Sequence, residues 1–552
     1  MRFKIHLSLI ALVIAAAVAA CTLPGGGSRL SGTVRDAGGA PIAGAVVRVQ
    51  TTDRAATTDA KGRFTLTDLT PGRPITLTAW ATGYYIGGGT AFQPGAEPVV
   101  ITLTAHTAED NPAYTWLGAF AQAGEEDNCR HCHAADLQER SVGASLPFDE
   151  WQRDPHARTA SNPRFLTMYT GSDLHGNVSP PTRYGYNRDY GRFPLPPDPN
   201  LPYYGPGYKL DFPSTDGNCA ACHTPVDAVD DPYGVDPTAL DGVAAEGITC
   251  DFCHKIWDVR LEPVTGLPSP NMPGVLSFVF RRPPEGHQFF AGPLDDVAPG
   301  EDTYVPLYRR SQYCAPCHFG VFWDTVVYNS FGEWLASPYS DPETGQTCQD
   351  CHMPPTGATR FARPEKGGLE RNPATIAGHD MTVTPALLRR AVTLDAQAER
   401  RGAEIVVTVR LTNSGAGHHI PTDSPLRHLI LTVEASDGQG QPLPLRAGPT
   451  VPDWGGAQAG LPGKAFAKVL EEVWTEIAPS GAYWNPTRIV QDTRLPALAT
   501  DVSTYTFAAP AEGPVRVRVT LRYRRAFQSL MAQKGWDVPD VIPAATLLTV
   551  NP

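Results

Sequence analysis

The chain changes hydrophobic rhythm three times. After Arg2 and Lys4, an uninterrupted apolar run extends from Leu7 to Ala20. Residues 28–105 then alternate apolar and polar positions in short runs, such as Ala45-Val-Val-Arg-Val49, Phe64-Thr-Leu66 and Ile75-Thr-Leu-Thr-Ala79, cut by Gly, Pro and Asp turns. Side chains that alternate with period two and stop every few residues predict a small β-sandwich. From 106 to 380 no period persists, and Pro-rich patches such as Phe193 to Pro202 argue for irregular backbone and short helices. Alternation returns in 381–552, in Glu404-Ile-Val-Val-Thr-Val-Arg-Leu411, Leu429-Ile-Leu-Thr-Val433 and Val515-Arg-Val-Arg-Val-Thr-Leu521, which predicts a second, larger β-sandwich. The expected architecture is multidomain, with a β-sandwich at each end and a central segment held by something other than regular secondary structure. The 52 glycines and 54 prolines agree with few long helices.

The apolar run is shorter than a membrane span and closes on small residues, the layout of a secretion signal over residues 1–20. It ends in Val18-Ala-Ala-Cys21, which resembles the bacterial lipoprotein signal, in which the cysteine thiol takes a diacylglycerol and becomes the mature N-terminus. Acyl chains at Cys21 would hold the protein on a membrane, with residues 21–27 as a flexible linker that runs into the Gly25-Gly-Gly-Ser28 tether. Thr22 after that cysteine favours outward sorting where an outer membrane exists. The expected location is the cell envelope, on its periplasmic face or at the cell surface.

Eleven cysteines in an exported chain first suggest disulfides. Their spacing overrules that reading. Ten fall in five copies of one pattern: Cys129-Arg-His-Cys132-His133, Cys219-Ala-Ala-Cys222-His223, Cys250-Asp-Phe-Cys253-His254, Cys314-Ala-Pro-Cys317-His318 and Cys348-Gln-Asp-Cys351-His352. Two thiols at that spacing can each bond a porphyrin vinyl group while the following histidine reaches the iron, so the pattern reads as attachment of haem c. One copy could be a redox dithiol or half a zinc site. Five copies, with only Cys21 outside them, predict five covalently bound haems with proximal ligands His133, His223, His254, His318 and His352.

The motifs lie within residues 129–352, about 45 residues per haem, too few to wrap each porphyrin in its own apolar core. A globule of that length has a radius of gyration of about 17 Å, so the haems are crowded and electrons pass readily between them. Removing the proximal histidines and His6 from the fifteen leaves nine for five sixth positions, so full bis-histidine ligation is possible. Met168, Met272, Met353 and Met381 are the only methionines in the relevant stretch, and Met353 directly follows a proximal histidine, so mostly bis-histidine haems are expected. The distal candidates are His156, His175, His287, His379 and His418; each could instead be a solvated loop histidine or a partner of a propionate. His131, inside the first motif, is expected to point away. Arg281-Arg282 and Arg309-Arg310 could pair with propionates or be surface arginines.

Three resemblances add to this. Gly32-x-Val34, Gly38-Gly-Ala-Pro41, Gly44-Ala-x-Val47, Thr58-Asp59, Gly62-x-Phe64, Pro71-Gly72 and Gly83-Tyr84 resemble the carboxypeptidase regulatory-like domain, which implies a spacer or docking module without catalytic residues. Within 125–360 the chain is similar to the cytochrome c554-type multihaem family. The matching features are Trp151-x4-His156-Ala, Glu246-Gly-Ile-Thr-Cys250-Asp-Phe-Cys-His254-Lys-Ile, and Glu333-Trp-Leu-x-Ser337 ahead of Thr347-Cys-Gln-Asp-Cys-His352-Met-Pro354. That resemblance implies a distal ligand at His156. Gly417-His418-His419-Ile-Pro-Thr422 resembles a Gly-His-x-Phe-Pro-Thr element of multihaem cytochromes, with Ile420 in place of the aromatic, which leaves open whether His418 ligates or lies in an exposed turn.

A net charge of −12 without a dense Lys/Arg run excludes nucleic acid as the expected partner. The sequence reading is a lipid-anchored pentahaem electron carrier of the cell envelope, working between redox partner proteins or towards an external acceptor, and needing no catalytic residue. The rival is a reductase or oxidase of a small nitrogen or sulfur compound with one five-coordinate haem. Against the rival, the chain has no Cys-x-x-Cys-Lys motif. A third reading makes the two sandwiches adhesion modules of a surface assembly.

Overall fold

A computed structural model describes residues 28–95, 98–120, 128–135, 145–297 and 299–552. The expected signal segment and Cys21 lie outside these residues. Among those described, no helix is long and apolar enough to cross a membrane. The chain divides into two compact units.

The first unit runs to Tyr114 and includes Arg281–Pro306 and Glu370–Asn372. Its β1 (Ser28–Asp36), β2 (Val46–Val49), β3 (Ala55–Thr57), β4 (Arg63–Leu69), β5 (Ile75–Trp80), β6 (Gly87–Phe92) and β7 (Val99–Leu103) form two sheets, ordered β4-β1-β7 and β3-β2-β5-β6. The inward residues of the alternating runs, Leu30, Val34, Val47, Leu66, Leu77 and Ile101, share one buried core, which is the small sandwich expected. Gly32 is required by packing: β1 runs parallel to β7 there, and a Cβ would stand 2.3 Å from the Val99 carbonyl oxygen.

Residues 281–306 and 370–372 differ from the expected boundary, since they pack in this unit rather than with the Cys-x-x-Cys-His motifs. The reason is charge pairing. Arg48 grips Asp295 with two bonds, 2.7 and 2.9 Å long, Arg371 meets Asp296 at 2.7 Å, and Arg282 meets Asp110 at 2.8 Å. Trp80 stacks edge-on against Tyr304 at 4.9 Å and donates its indole N–H to Thr303.

The second unit comprises Thr115–Phe280, Leu307–Leu369 and Pro373–Pro552. Its C-terminal part forms a four-stranded sheet, in the order 392–401, 404–413, 500–508 and 445–447. Against it stands a five-stranded sheet, in the order 487–492, 463–472, 428–436, 515–524 and 541–550. Ile405, Val407, Val409 and Leu411 alternate into one core with Val515, Val517, Val519 and Leu521. The strand His428–Ser436 is central in its sheet and buried on both faces, so Leu429, Ile430 and Leu431 are all at 0% exposure and the alternation disappears.

The motif-bearing part is built from short pieces; Pro163–Thr170, at 8 residues, is its longest helix among the described residues. It packs in one unit with the C-terminal sandwich rather than beside it. Buried polar groups bind the two. Lys468 donates to the carbonyls of Val326 and Val327 at 3.1 and 2.6 Å, Arg494 meets Glu333 at 2.6 Å, and the Trp484 indole meets Asp211 at 2.7 Å.

Candidate metal centres

Each Cys-x-x-Cys-His forms a single tight turn, and the flanking polar residues explain why. Asn128 caps Cys129–His133 by accepting from His131 N–H, Thr249 caps Cys250–His254, and Thr347 with Asp350 forms a capping box on Cys348–His352. One turn brings residues three and four apart onto one face, so both thiols and the imidazole of each motif face the same way. Ala220–His223 is helical, and Ser311–Cys314 leads into the fourth motif as a 3-10 turn. Gly274, at φ +56°, lets the segment before Phe278 lie directly on the second motif; a Cβ there would stand 2.0 Å from Ala221 O and 2.9 Å from Cys222 Sγ.

The motifs touch one another through their sulfurs. The Cys250 thiol is in hydrogen-bond contact with Cys129, Cys317 with Cys222, and Cys314 with Cys348. The contact with Cys129, then burial, pushes the Cys250 thiol well above its ordinary value. The bond from Cys314 draws Cys348 down to about 7. None of the ten motif cysteines is in a disulfide.

Two histidine pairs cross between elements. His156 and His318 have ring centroids 6.3 Å apart. His352 and His418 also stand 6.3 Å apart, with planes at 19°. A metal to imidazole bond of about 2 Å puts the centroids of two rings ligating one ion from opposite sides about 6.3 Å apart. Both separations fit an iron between the rings. The Nδ1 atoms are engaged elsewhere, which leaves Nε2 for the metal: His156 donates to Asp154 at 2.6 Å, His418 to its neighbour's carbonyl at 2.8 Å, His379 to Ala377 O at 3.1 Å and His133 to Phe361 O at 2.7 Å.

Burial favours the neutral, ligating form of five of the motif and facing imidazoles. It brings His223, His352 and His379 down to about 4, and lowers His133 and His418 as well, against the pull of their carbonyl partners. For His318 burial acts the same way, but Asp423, 3.6 Å from its Nδ1, outweighs it and holds the imidazole above its ordinary value.

Not every candidate joins the cluster. His175 lies exposed in a turn against Gly535, where a Cβ would be 2.8 Å from its Nε2. His287 is exposed and belongs to the first unit. His379 sits near the first motif: its N–H donates to buried Glu150, and the nearby His133 helps, after burial, to lower its affinity for a proton. Sequence reading missed Asp154 and Asp423, the carboxylates behind His156 and His318. Asp154 was legible as the residue before Pro155-His156, where a capping carboxylate belongs; nothing in the sequence points to Asp423. Also missed were Phe165, stacked on His223 at 4.0 Å, and Tyr308 and Tyr313, whose hydroxyls both donate to Cys253 O.

The two segments that carry the Trp-x4-His and Glu-Gly-Ile-Thr-Cys patterns dock on each other: the Trp151 indole donates to Ile248 O at 2.9 Å and Ile248 N–H to His156 O at 3.0 Å. Glu333 likewise accepts from His419 N–H and the Thr422 hydroxyl of the glycine-rich loop. The donor set of paired thiols, adjacent imidazoles and facing imidazoles suits haem c. Beside the second motif lies a cavity of about 290 Å³ lined by Asn218, Tyr233, Asn271 and Phe322 among others.

Residues 29–104 match the carboxypeptidase regulatory-like domain, as the glycine and turn pattern implied. No curated protein matches the chain. Among solved structures, a penta-haem cytochrome c552 from Thermochromatium tepidum is 20% identical, with a TM-score of 0.49 over 73% of this chain and 95% of that chain. A type II cohesin–X-dockerin complex from Acetivibrio cellulolyticus is 22% identical over 18% of this chain and 63% of that chain, with a TM-score of 0.12. A PapD-like domain of human CEP192 is 10% identical over 31% and 88%, with a TM-score of 0.13.

Proposed function

We propose that the chain is a pentahaem c-type cytochrome lipoprotein that relays electrons in the cell envelope. Five Cys-x-x-Cys-His turns within one compact unit, with sulfurs of different motifs in contact, carry this reading. Bound haem supplies a one-electron couple at each iron. The residues of the chain do the rest: Cys129, Cys132, Cys219, Cys222, Cys250, Cys253, Cys314, Cys317, Cys348 and Cys351 anchor the groups. His133, His223, His254, His318 and His352 ligate them, while His156 and His418 face His318 and His352. His379 is offered to the first motif. Its partners are redox proteins or an external electron acceptor, and Cys21 supplies the membrane anchor.

A second reading has one specific support. His223 stacks on Phe165, no imidazole pairs with it among the described ring contacts, and a cavity adjoins its motif. An open position on that haem would make the chain a reductase or oxidase of a small nitrogen or sulfur compound. The experiment is mass spectrometry of the holoprotein made with its signal, followed by carbon monoxide addition to the reduced form. Five covalent haems and an unmoved Soret band support the carrier; a shift at one haem supports the enzyme; a chain without haem overturns both.

A further inference from the structure

The imidazoles offered to the irons differ in what stands behind them. His133, His379 and His418 donate Nδ1–H to neutral backbone carbonyls. His156 donates to a carboxylate. Asp154 is fully buried; its Oδ1 accepts both the backbone N–H and the Nδ1–H of His156, at 2.8 and 2.6 Å, and its Oδ2 accepts Met381 N–H at 2.6 Å. Among the described residues no lysine or arginine pairs with Asp154; its shortest side-chain contact is with the His156 imidazole, and its charge reaches His379 and Cys253 more weakly, without a hydrogen bond. Across the gap, the Nδ1 of His318 stands 3.6 Å from Asp423 Oδ2, beyond a hydrogen bond but close enough for attraction. Arg427, 3.8 Å from the same oxygen, takes up part of that charge.

A carboxylate accepting Nδ1–H pushes electron density toward Nε2 and makes the imidazole a stronger donor. A stronger axial donor favours ferric over ferrous iron, and second-shell bonding is one of the levers by which a protein sets a haem potential. We infer that Asp154 is a positioning residue that, through His156, lowers the potential of the haem of the fourth motif, with Asp423 adding to the effect from the proximal side. This rests on the cytochrome reading and on His156 and His318 sharing one iron. It gives the relay a built-in uneven step, set by the chain rather than by the cofactor.

The test is redox titration of the full-length holoprotein, with haems counted by mass spectrometry in the same preparation. Asp154→Asn keeps shape and an acceptor oxygen but removes the charge. A second-shell loss of about tenfold in the preference for ferric iron corresponds to about 59 mV for a one-electron couple. The expected result is that one of five potentials rises by about that amount while the others move much less, and that one low-spin ferric signal shifts its g values. Asp154→Glu restores the low potential, and Asp423→Asn gives a smaller rise at the same haem. If Asp154→Asn does not load five haems, Asp154→Ser, which keeps an oxygen near the amides of His156 and Met381, carries the same readout. Five loaded haems with unchanged potentials, or a uniform shift of all five, overturn the inference and leave the cytochrome standing. A wild-type chain without haem overturns the cytochrome reading, and this inference with it.

Discussion

His352 and His418 face one another with ring centroids 6.3 Å apart, although one closes a Cys-x-x-Cys-His turn and the other sits in the Gly415–His419 loop of the C-terminal sandwich. The loop is held there from two sides: Asn413 donates to His418 O at 2.8 Å, and Glu333 accepts the neighbouring His419 N–H at 3.2 Å.

Replacing His418 by Ala removes the facing imidazole without touching an attachment cysteine. The reduced variant is expected to bind one more carbon monoxide per chain than the unmodified protein, seen as a Soret change at one haem in five. Identical carbon monoxide stoichiometry would assign the sixth position of that iron to another residue.

Gly274→Ala places a methyl group against Ala221 O at a φ of +56°. Left-handed backbone and a contact that short cannot both be relieved without moving the turn that carries Cys219 and Cys222. Incomplete attachment is expected, with part of the population lighter by one haem in the intact mass.

Lys534 is fully buried at the end of the helix Gln528–Lys534 and donates to the carbonyls of Thr167, Ser172 and Pro206. Its three donors are matched by three acceptors. Lys534→Met leaves all three buried, at a cost of about 3 kcal/mol or more, measurable by chemical denaturation. Burial also brings the ammonium down to about 7 from an ordinary 10.5. Because the folded value lies below the unfolded one, the unfolded chain binds more protons between these limits. This group therefore adds stability as pH rises from about 7 toward 10.5, with a slope of at most about 1.4 kcal/mol per pH unit, and the variant is expected to lose that slope.

In the first unit, Arg371 and Asp296 meet at 2.7 Å with both side chains only 4% exposed. Removing one partner strands a buried charge, so Arg371→Met is expected to cost about 3–5 kcal/mol. Amide exchange in the N-terminal sandwich, where Asp296 also accepts from Thr51 N–H, reads the loss. Unchanged protection there would mean that solvent reaches Asp296 when its partner is gone.

The features legible in the sequence are those set within a few residues. A Cys-x-x-Cys-His turn places its two sulfurs and its imidazole by local helical geometry, so the five turns could be read directly. Alternation with period two revealed both sandwiches, and failed where consecutive residues of a strand are buried, at Leu429–Val433 and at Leu77–Ala79. The glycine and turn pattern of residues 29–104 likewise pointed to the right domain family. What tertiary structure decided is which residues stand opposite those turns. His156 stands opposite His318 and His418 opposite His352 across long stretches of chain, whereas His175 and His287 are exposed, because such pairings depend on how separate loops dock. The placing of Asp154 behind one imidazole and of Asp423 behind its counterpart depends on the same docking: a carboxylate tunes a ligand only through hydrogen-bond distance and burial, and neither is written in the spacing of residues along the chain.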